Sequence, residues 1–487
     1  MSEPGPGSSG PAASVDSPTG AVGGEVGRGA GGVGTDQRLR VPTAGAEEGP
    51  HFDAHHPPAP ELIADCVHCG FCLPTCPTYV LWGEEMDSPR GRIHLMDQAN
   101  HGEPLSPSMV QHFDACLGCL ACVTACPSGV QYDKLINATR PQVERNHERS
   151  ASDRALRKAI FSLFPYPRRL RAMRGPLRVH QRSGLSALLR KSGVLQRVSP
   201  RLAAMESLAP DISTAVRVPE RVPARGLRRG TVGMLLGCVQ REFFPGVNAA
   251  TARVLAMEGF DVVAPQDQGC CGALSAHTGR EPEAQKFARR LIDTFERTGV
   301  ERVVVNSAGC GSAMKEYAEL LADDPAYASR AAAFADRVRD VSEFLAEVGP
   351  AAPRHPLEVS IAYHDACHLS HGQGVRSQPR ELLRGIPGLE VREVRDGTLC
   401  CGSAGVWNLL NPEPARELGN RKAANVLATQ ADLLVTANPG CLMQIASAIG
   451  RAGESMALAH TVEVLDASIR GLPPGALGVT PRRSPQP

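Results

Sequence analysis

One cysteine pattern occurs twice near the start of this chain and constrains it more than any other feature. Cys66, Cys69, Cys72 and Cys76, followed by Pro77, are spaced C-x2-C-x2-C-x3-C-P. Cys116, Cys119, Cys122 and Cys126, followed by Pro127, repeat that spacing. Three thiolates two residues apart can wrap three irons of one cubane. The fourth, after a longer step and a proline turn, points away toward a second cluster. The spacing therefore predicts one [4Fe–4S] cluster on Cys66, Cys69, Cys72 and Cys126, and another on Cys116, Cys119, Cys122 and Cys76. Zinc is the competing reading, but zinc favours paired C-x2-C or Cys/His knuckles over a triple with a trailing Cys-Pro. Gly70 and Gly118 leave room for backbone N–H groups to approach cluster sulfurs, which raises the reduction potential.

The rest of the composition is permissive. The 487 residues suggest about three domains. Lys+Arg 52 against Asp+Glu 51 leaves a charge of +1, so no global field points to nucleic acid. No apolar run reaches the length of a transmembrane helix, and MSEPGPGSSG has neither the basic start nor the apolar core of a secretory signal. Sixteen cysteines in such a chain read as reduced thiols in the cytoplasm, used as metal ligands or in redox chemistry.

Composition divides the chain into segments. Residues 1–55 form a Gly/Pro/Ala-rich tail expected to be disordered, and its Gly29, Gly31 and Gly34 match a dinucleotide fingerprint only by chance, because no strand precedes them. Residues 56–144 hold the two cysteine runs. Residues 145–230 form a basic connector with 20 Lys/Arg against 5 Asp/Glu and helical periodicity in 154–164 and 184–198, broken by Pro165, Pro167, Gly175 and Pro176. Residues 231–350 and 351–472 read as α/β, with buried parallel strands in TVGMLLG, FDVVA, RVVVN, VSIAY and DLLVTA. Residues 473–487 are a Pro-rich end expected to fray. The fold class is thus α+β and multidomain: an α-helical ferredoxin-like part, the helical connector and two α/β domains.

Those two α/β domains are a duplication. Cys238, Cys270, Cys271 and Cys310 recur as Cys367, Cys400, Cys401 and Cys441, at offsets between 129 and 131 residues. Each set starts where a strand ends, and ligand chemistry in open α/β sheets gathers outside the carboxyl ends of the strands. Each Cys-Cys-Gly supplies two adjacent thiols and a glycine suited to a tight turn or close approach. The functional reading is a metal or iron–sulfur site in each domain, with thiol chemistry at its edge; the competing one is a cysteine-lined structural or zinc-binding domain that docks the flavoprotein. His364, His368 and His371 flank Cys367 as candidate ligands or thiol activators.

The stretches from Cys66 to Met96 and from Cys116 to Leu135 resemble the iron–sulfur subunit of bacterial glycolate oxidase (glycolate dehydrogenase), and the likeness spans about residues 60–470, including Ser88–Ile93 and the CCG repeat. The resemblance implies a two-cluster ferredoxin module fused to two domains of the heterodisulfide-reductase type. It also implies FAD, substrate and substrate oxidation on separate FAD-binding subunits. Modules of that type use a fifth cysteine in a C-x-x-C ending; here Ala313 and Gln444 occupy that place, which puts the full noncubane cluster in question.

The expected function is electron relay in a flavin-dependent 2-hydroxy-acid dehydrogenase, carrying electrons from glycolate oxidation to an acceptor such as quinone. A relay subunit of anaerobic glycerol-3-phosphate or D-lactate dehydrogenase, and a heterodisulfide-reductase-like thiol–disulfide enzyme, are the alternatives. Arg90 and Arg92 either meet acidic partner residues, tune the clusters or cap a turn. The connector is expected first to dock partners and second to lie on the inner face of the cell membrane, with nucleic acid a distant third.

Overall fold

The computed structural model describes residues 51–184, 194–210, 212 and 216–479. All belong to the second of the two compact units of the chain, Glu48–Pro487. The expected tail over 1–50, the helical reading of 185–193 and the end at 480–487 lie outside the described residues.

The cysteine runs sit among short helices: Pro60–Ala64, Pro77–Trp82, Pro89–Asn100, Pro107–Ala115, Ala121–Ala125 and Tyr132–Asn146. Proline opens four of them, where its missing N–H costs nothing. Ser88 and Ser106 cap two by accepting from the Gly91 and Met109 amides. Ile93, Met96, Phe113, Leu135 and Ile136 form the core beneath the runs. Order begins earlier than the expected boundary at 56: Phe52 packs on this core, and Arg145 Nε donates to Asp53 Oδ2 at 2.8 Å.

The connector forms helices Ala151–Leu163, Pro167–Arg182, Val194–Val198 and Pro200–Ser207. Pro165 and Pro167 separate the first two as expected, but the second runs unbroken through Gly175 and Pro176. An interior proline costs about 3 kcal/mol. Here tertiary contacts offset it: Leu170 is buried, and Arg171 and Arg174 bond Glu242 at 2.8 and 2.7 Å.

Nine strands follow among the described residues: β1 (Arg221–Val222), β2 (Gly230–Met234), β3 (Phe260–Val263), β4 (Arg302–Val305), β5 (Val338–Asp340), β6 (Val359–His364), β7 (Leu389–Glu393), β8 (Leu433–Thr436) and β9 (Ala457–His460). The first sheet runs β1-β3-β2-β4-β5 and the second β7-β6-β8-β9. Without β1, an antiparallel edge strand, the two orders are identical and every pairing is parallel. The five apolar runs read from the sequence are β2, β3, β4, β6 and β8. The outer strands escaped that reading because they lie at edges: β7, with the sequence LEVRE, buries little of either face.

The two modules share a core. Helices Pro245–Met257 and Thr461–Ile469 pack together, and Val232, Met234, Ile361, Tyr363, Leu433 and Val462 belong to one apolar cluster. Arg253 bridges to Asp466 at 2.7 Å, and Arg354 to the buried Glu258 at 2.6 Å. Residues 473–479 are not frayed: Pro474–Leu477 is a 3-10 turn, and Leu477 and Val479 pack on that shared core.

Candidate functional site

The two cysteine runs have the same backbone. His68 and Gly70 in the first run have φ of 51° and 86°; Gly118 and Leu120, at matching positions of the second, have 63° and 62°. Left-handed residues amid right-handed ones turn successive N–H groups into one concavity suited to an anion. The Gly118 amide lies 3.4 Å from Cys116 Sγ, and Tyr132 donates its hydroxyl to that sulfur at 3.6 Å. Leu120 adopts a conformation that a branched side chain resists, so its strain marks a position held by its surroundings.

Cys66, Cys69, Cys72, Cys122 and Cys126 line one pocket with Arg90 and Tyr132. Cys126 lies close enough to Cys66 to raise its pKa, after burial, the larger cause. Cys76 lies near sulfurs of both runs: after burial, the larger cause, it helps to push up the Cys72 thiol of the first run and the Cys119 and Cys122 thiols of the second. Cys69 is exposed, whereas Cys76, Cys116, Cys119 and Cys122 are buried.

Ser88–Ile93 proves to be the clamp between the runs. Arg90 pairs with Glu85 at 2.6 Å and donates to the His68 carbonyl at 2.9 Å, fixing the first loop. Arg92 is wholly buried; it bonds Asp87 and Thr78 at 3.1 Å and reaches Cys76 Sγ at 3.9 Å. Burial alone would raise the Cys116 pKa, but the cations Arg92 and Arg140 reverse this and hold the thiol below its usual value.

Each module gathers its four cysteines outside the carboxyl ends of its two central strands. Cys238 and Cys310 follow β2 and β4; Cys367 and Cys441 follow β6 and β8. The strand order reverses between those strands, which is the switch point where open α/β sheets place ligands. Within each set, successive sulfurs lie close enough to shift one another's ionisation: Cys238, Cys270, Cys271 and Cys310 in the first module, and Cys367, Cys400, Cys401 and Cys441 in the second. Gly272 and Gly402 turn at φ of 83° and 86° so that the adjacent thiols face inward.

The three histidines around Cys367 separate. His364 is fully buried, and one of its ring nitrogens lies within 4.8 Å of the sulfurs of Cys401 and Cys441. His368 packs at a tilt against His277, with 4.8 Å between ring centroids. His371 turns to Thr124 at 2.8 Å. At the positions of the absent fifth cysteine, Ala313 packs in apolar surroundings, and Gln444 bonds the Ala415 carbonyl at 2.7 Å and Asn408 at 3.1 Å. Lys422, which faces the sulfurs of Cys367, Cys400 and Cys401, and Arg140 and Tyr132, which face Cys116, carry no sequence signal of their own, because only folding brings them near.

Residues 62–130 match the family described as a 4Fe-4S dicluster domain, and 232–315 and 361–446 both match the cysteine-rich domain family. Residues 152–209 match the linker region of the glycolate oxidase iron–sulfur subunit. The chain is 39% identical to the Bacillus subtilis protein named "Probable glycolate oxidase iron-sulfur subunit", across 81% of this chain and 90% of that one. The chain belongs to the glycolate oxidase iron–sulfur subunit family. Another member, the Escherichia coli glycolate oxidase iron–sulfur subunit, is 34% identical across 84% of this chain and 95% of its own length. Lactate utilization protein A of Halalkalibacterium halodurans is 31% identical but spans 48% of this chain and 96% of its own. The family's linker is thus the basic connector, and much of its charge is spent internally: Arg149 and Arg157 pair with Asp114, Glu144 and Asp153.

Proposed function

We propose that this chain relays electrons in the oxidation of glycolate to glyoxylate, holding one [4Fe–4S] cluster on Cys66, Cys69, Cys72 and Cys126 and a second on Cys76, Cys116, Cys119 and Cys122. The approach of Cys126 to Cys66, and of Cys76 to Cys119 and Cys122, supports this reading. The residues suit such clusters: the paired left-handed turns aim N–H groups at the sulfurs, and cationic Arg92 and Arg140 offset thiolate charge. When bound, the clusters supply one-electron transfer, which a two-electron flavin donor requires. The names of the relatives support glycolate as the substrate of the whole assembly.

The FAD and the substrate groups belong, in this reading, to separate FAD-binding partner subunits. The partner face is the surface around exposed Cys69, where Val67 and Phe71 are 67% and 65% exposed. Apolar side chains exposed beside a redox centre suit a contact that excludes water. The acceptor is a quinone or another one-electron carrier, and the chain works on the cytoplasmic side; no helix among the described residues is long and apolar enough to cross a membrane.

The test uses anaerobically prepared protein with its flavoprotein partners. Iron close to about eight per chain with reducible cubane spectra is expected. Cys76→Ser should damage the cluster of Cys116, Cys119 and Cys122 while sparing the first. Partners alone should still reduce their FAD with glycolate. Loss of flavin reduction on removing this chain, with FAD-loaded folded partners, would overturn the relay.

A further inference from the structure

The duplicated modules differ at two buried positions that face their sulfurs. His364, three residues before Cys367, corresponds to Leu235, three before Cys238. Gly402 packs against Ala415 and Leu418 as Gly272 does against Ala284 and Phe287, and counting on from those contacts sets Lys422 against Leu291. Leu235 and Leu291 lie in one apolar cluster with Cys271. The second module thus replaces two core leucines with an imidazole and an ammonium beside its thiols.

Burying such groups is costly unless something binds them. Lys422 donates to the Asp396 carbonyl at 2.7 Å. His364 is 0% exposed, yet neither ring nitrogen has a hydrogen-bond partner among the described residues. One ligand atom each of His364, Cys401 and Cys441 lie within 4.8 Å of one another, and no other group of three His, Cys, Asp or Glu is so spaced among the described residues.

We propose that the second module binds a single zinc-type divalent ion through His364, Cys401 and Cys441. Zinc bonds sulfur at about 2.3 Å and nitrogen at about 2.0 Å, so donors of one ion stand within about 4.5 Å of each other. Thiolates of a cubane sit on separate irons and must stand farther apart, so the tight spacing favours one ion over a cluster. Imidazole and thiolate together select zinc over oxygen-seeking cations. The two ligand thiols release their protons on binding and neutralise the ion's charge. Zinc changes no oxidation state, so this module would seat and stiffen the wall beside the second cysteine run without carrying electrons. The inference stands apart from the relay reading and does not depend on which substrate the assembly oxidises.

Metal analysis of the full chain, prepared anaerobically, is the test. About one zinc per chain is expected beside the cubane iron. His364→Leu, which copies the first module, should lose that zinc while keeping its iron and cubane paramagnetic signals. Cys441→Ser should do the same, which covers the case of His364→Leu failing to fold. Cobalt added to zinc-stripped protein should give visible tetrahedral thiolate bands in wild type and none in either variant. Wild type without zinc or cobalt uptake, retention of the metal in both variants, or loss of iron in place of zinc would each overturn the proposal. A missing cubane shows separately in the iron count.

Discussion

The two modules share a strand order and a cysteine pattern, but different parts of the chain cover their sulfurs. In the first, Cys238 and Cys270 lie under the connector, against Leu170 and Phe287, with Leu163, Tyr166 and Phe243 around them. In the second, Cys367 and Cys400 lie under the second cysteine run, against Leu117, Cys119 and Ala121, with Trp407 and Leu418 closing the cluster. Cys119 and Cys367 are near enough for each sulfur to oppose ionisation of the other's surroundings. One set of sulfurs is closed over by the connector and the other by the second cysteine run. Duplication supplied the shape, and the covering segment decided the use.

The largest break in that comparison comes from removing thiols at corresponding depths. Cys119→Ser should lower dye-linked turnover with the flavoprotein partners by about a hundredfold or more, whereas Cys270→Ser should stay within about threefold of wild type. Equal losses would mean that the first module also lies on the electron path.

Next is the cover of the first module. Leu170 is 2% exposed, and Leu170→Ala should cost about 2–5 kcal/mol of stability, read by denaturant unfolding. Labelling of Cys238 and Cys270 should speed up while Cys367 and Cys400 stay protected. Uniform labelling would show that the connector does not specifically close the first module.

A smaller difference separates the two CCG turns. A Cβ at Gly272 would meet the Ala284 carbonyl at 3.1 Å, but at Gly402 it would meet the Ala415 carbonyl at 2.8 Å. Both substitutions to alanine also pay the left-handed cost of about 1–2 kcal/mol. Gly402→Ala should therefore have the lower melting temperature of the pair; the reverse order would deny that the second turn is the tighter.

The smallest effect is in pH. Asp340 and His460 end β5 and β9 and cap corresponding helices. Burial pushes the Asp340 carboxyl up to about 7 and His460 down to about 4. The fold therefore favours protonated Asp340, and stability from the first module falls as pH rises from about 4 through about 7. It favours neutral His460, so stability from the second falls as pH drops from about 6.5 to about 4. Melting curves of Asp340→Asn should lose the first slope and keep the second; an unchanged slope would remove Asp340 as its source.

Much of this was legible in the sequence. Eight thiols within two stretches of eleven residues encode their own loops, because each donor set is nearly complete before the chain leaves the neighbourhood. The register of the CCG repeat likewise announced two equivalent sheets, and the apolar runs named their central strands. Edge strands such as β7, half polar on a solvent-facing rim, carried too little apolar signal to be read. The unbroken helix through Pro176 went unread because its anchors, Glu242 among them, lie far along the chain. Sequence alone also grouped His364, His368 and His371 as equals around Cys367. Only folding turned His364 inward and carried Lys422, fifty-five residues beyond Cys367, to the same sulfurs. The reason is one of range: bond geometry ties neighbours in sequence to neighbours in space, while the partner of a buried charge is chosen by whichever distant surface closes over it.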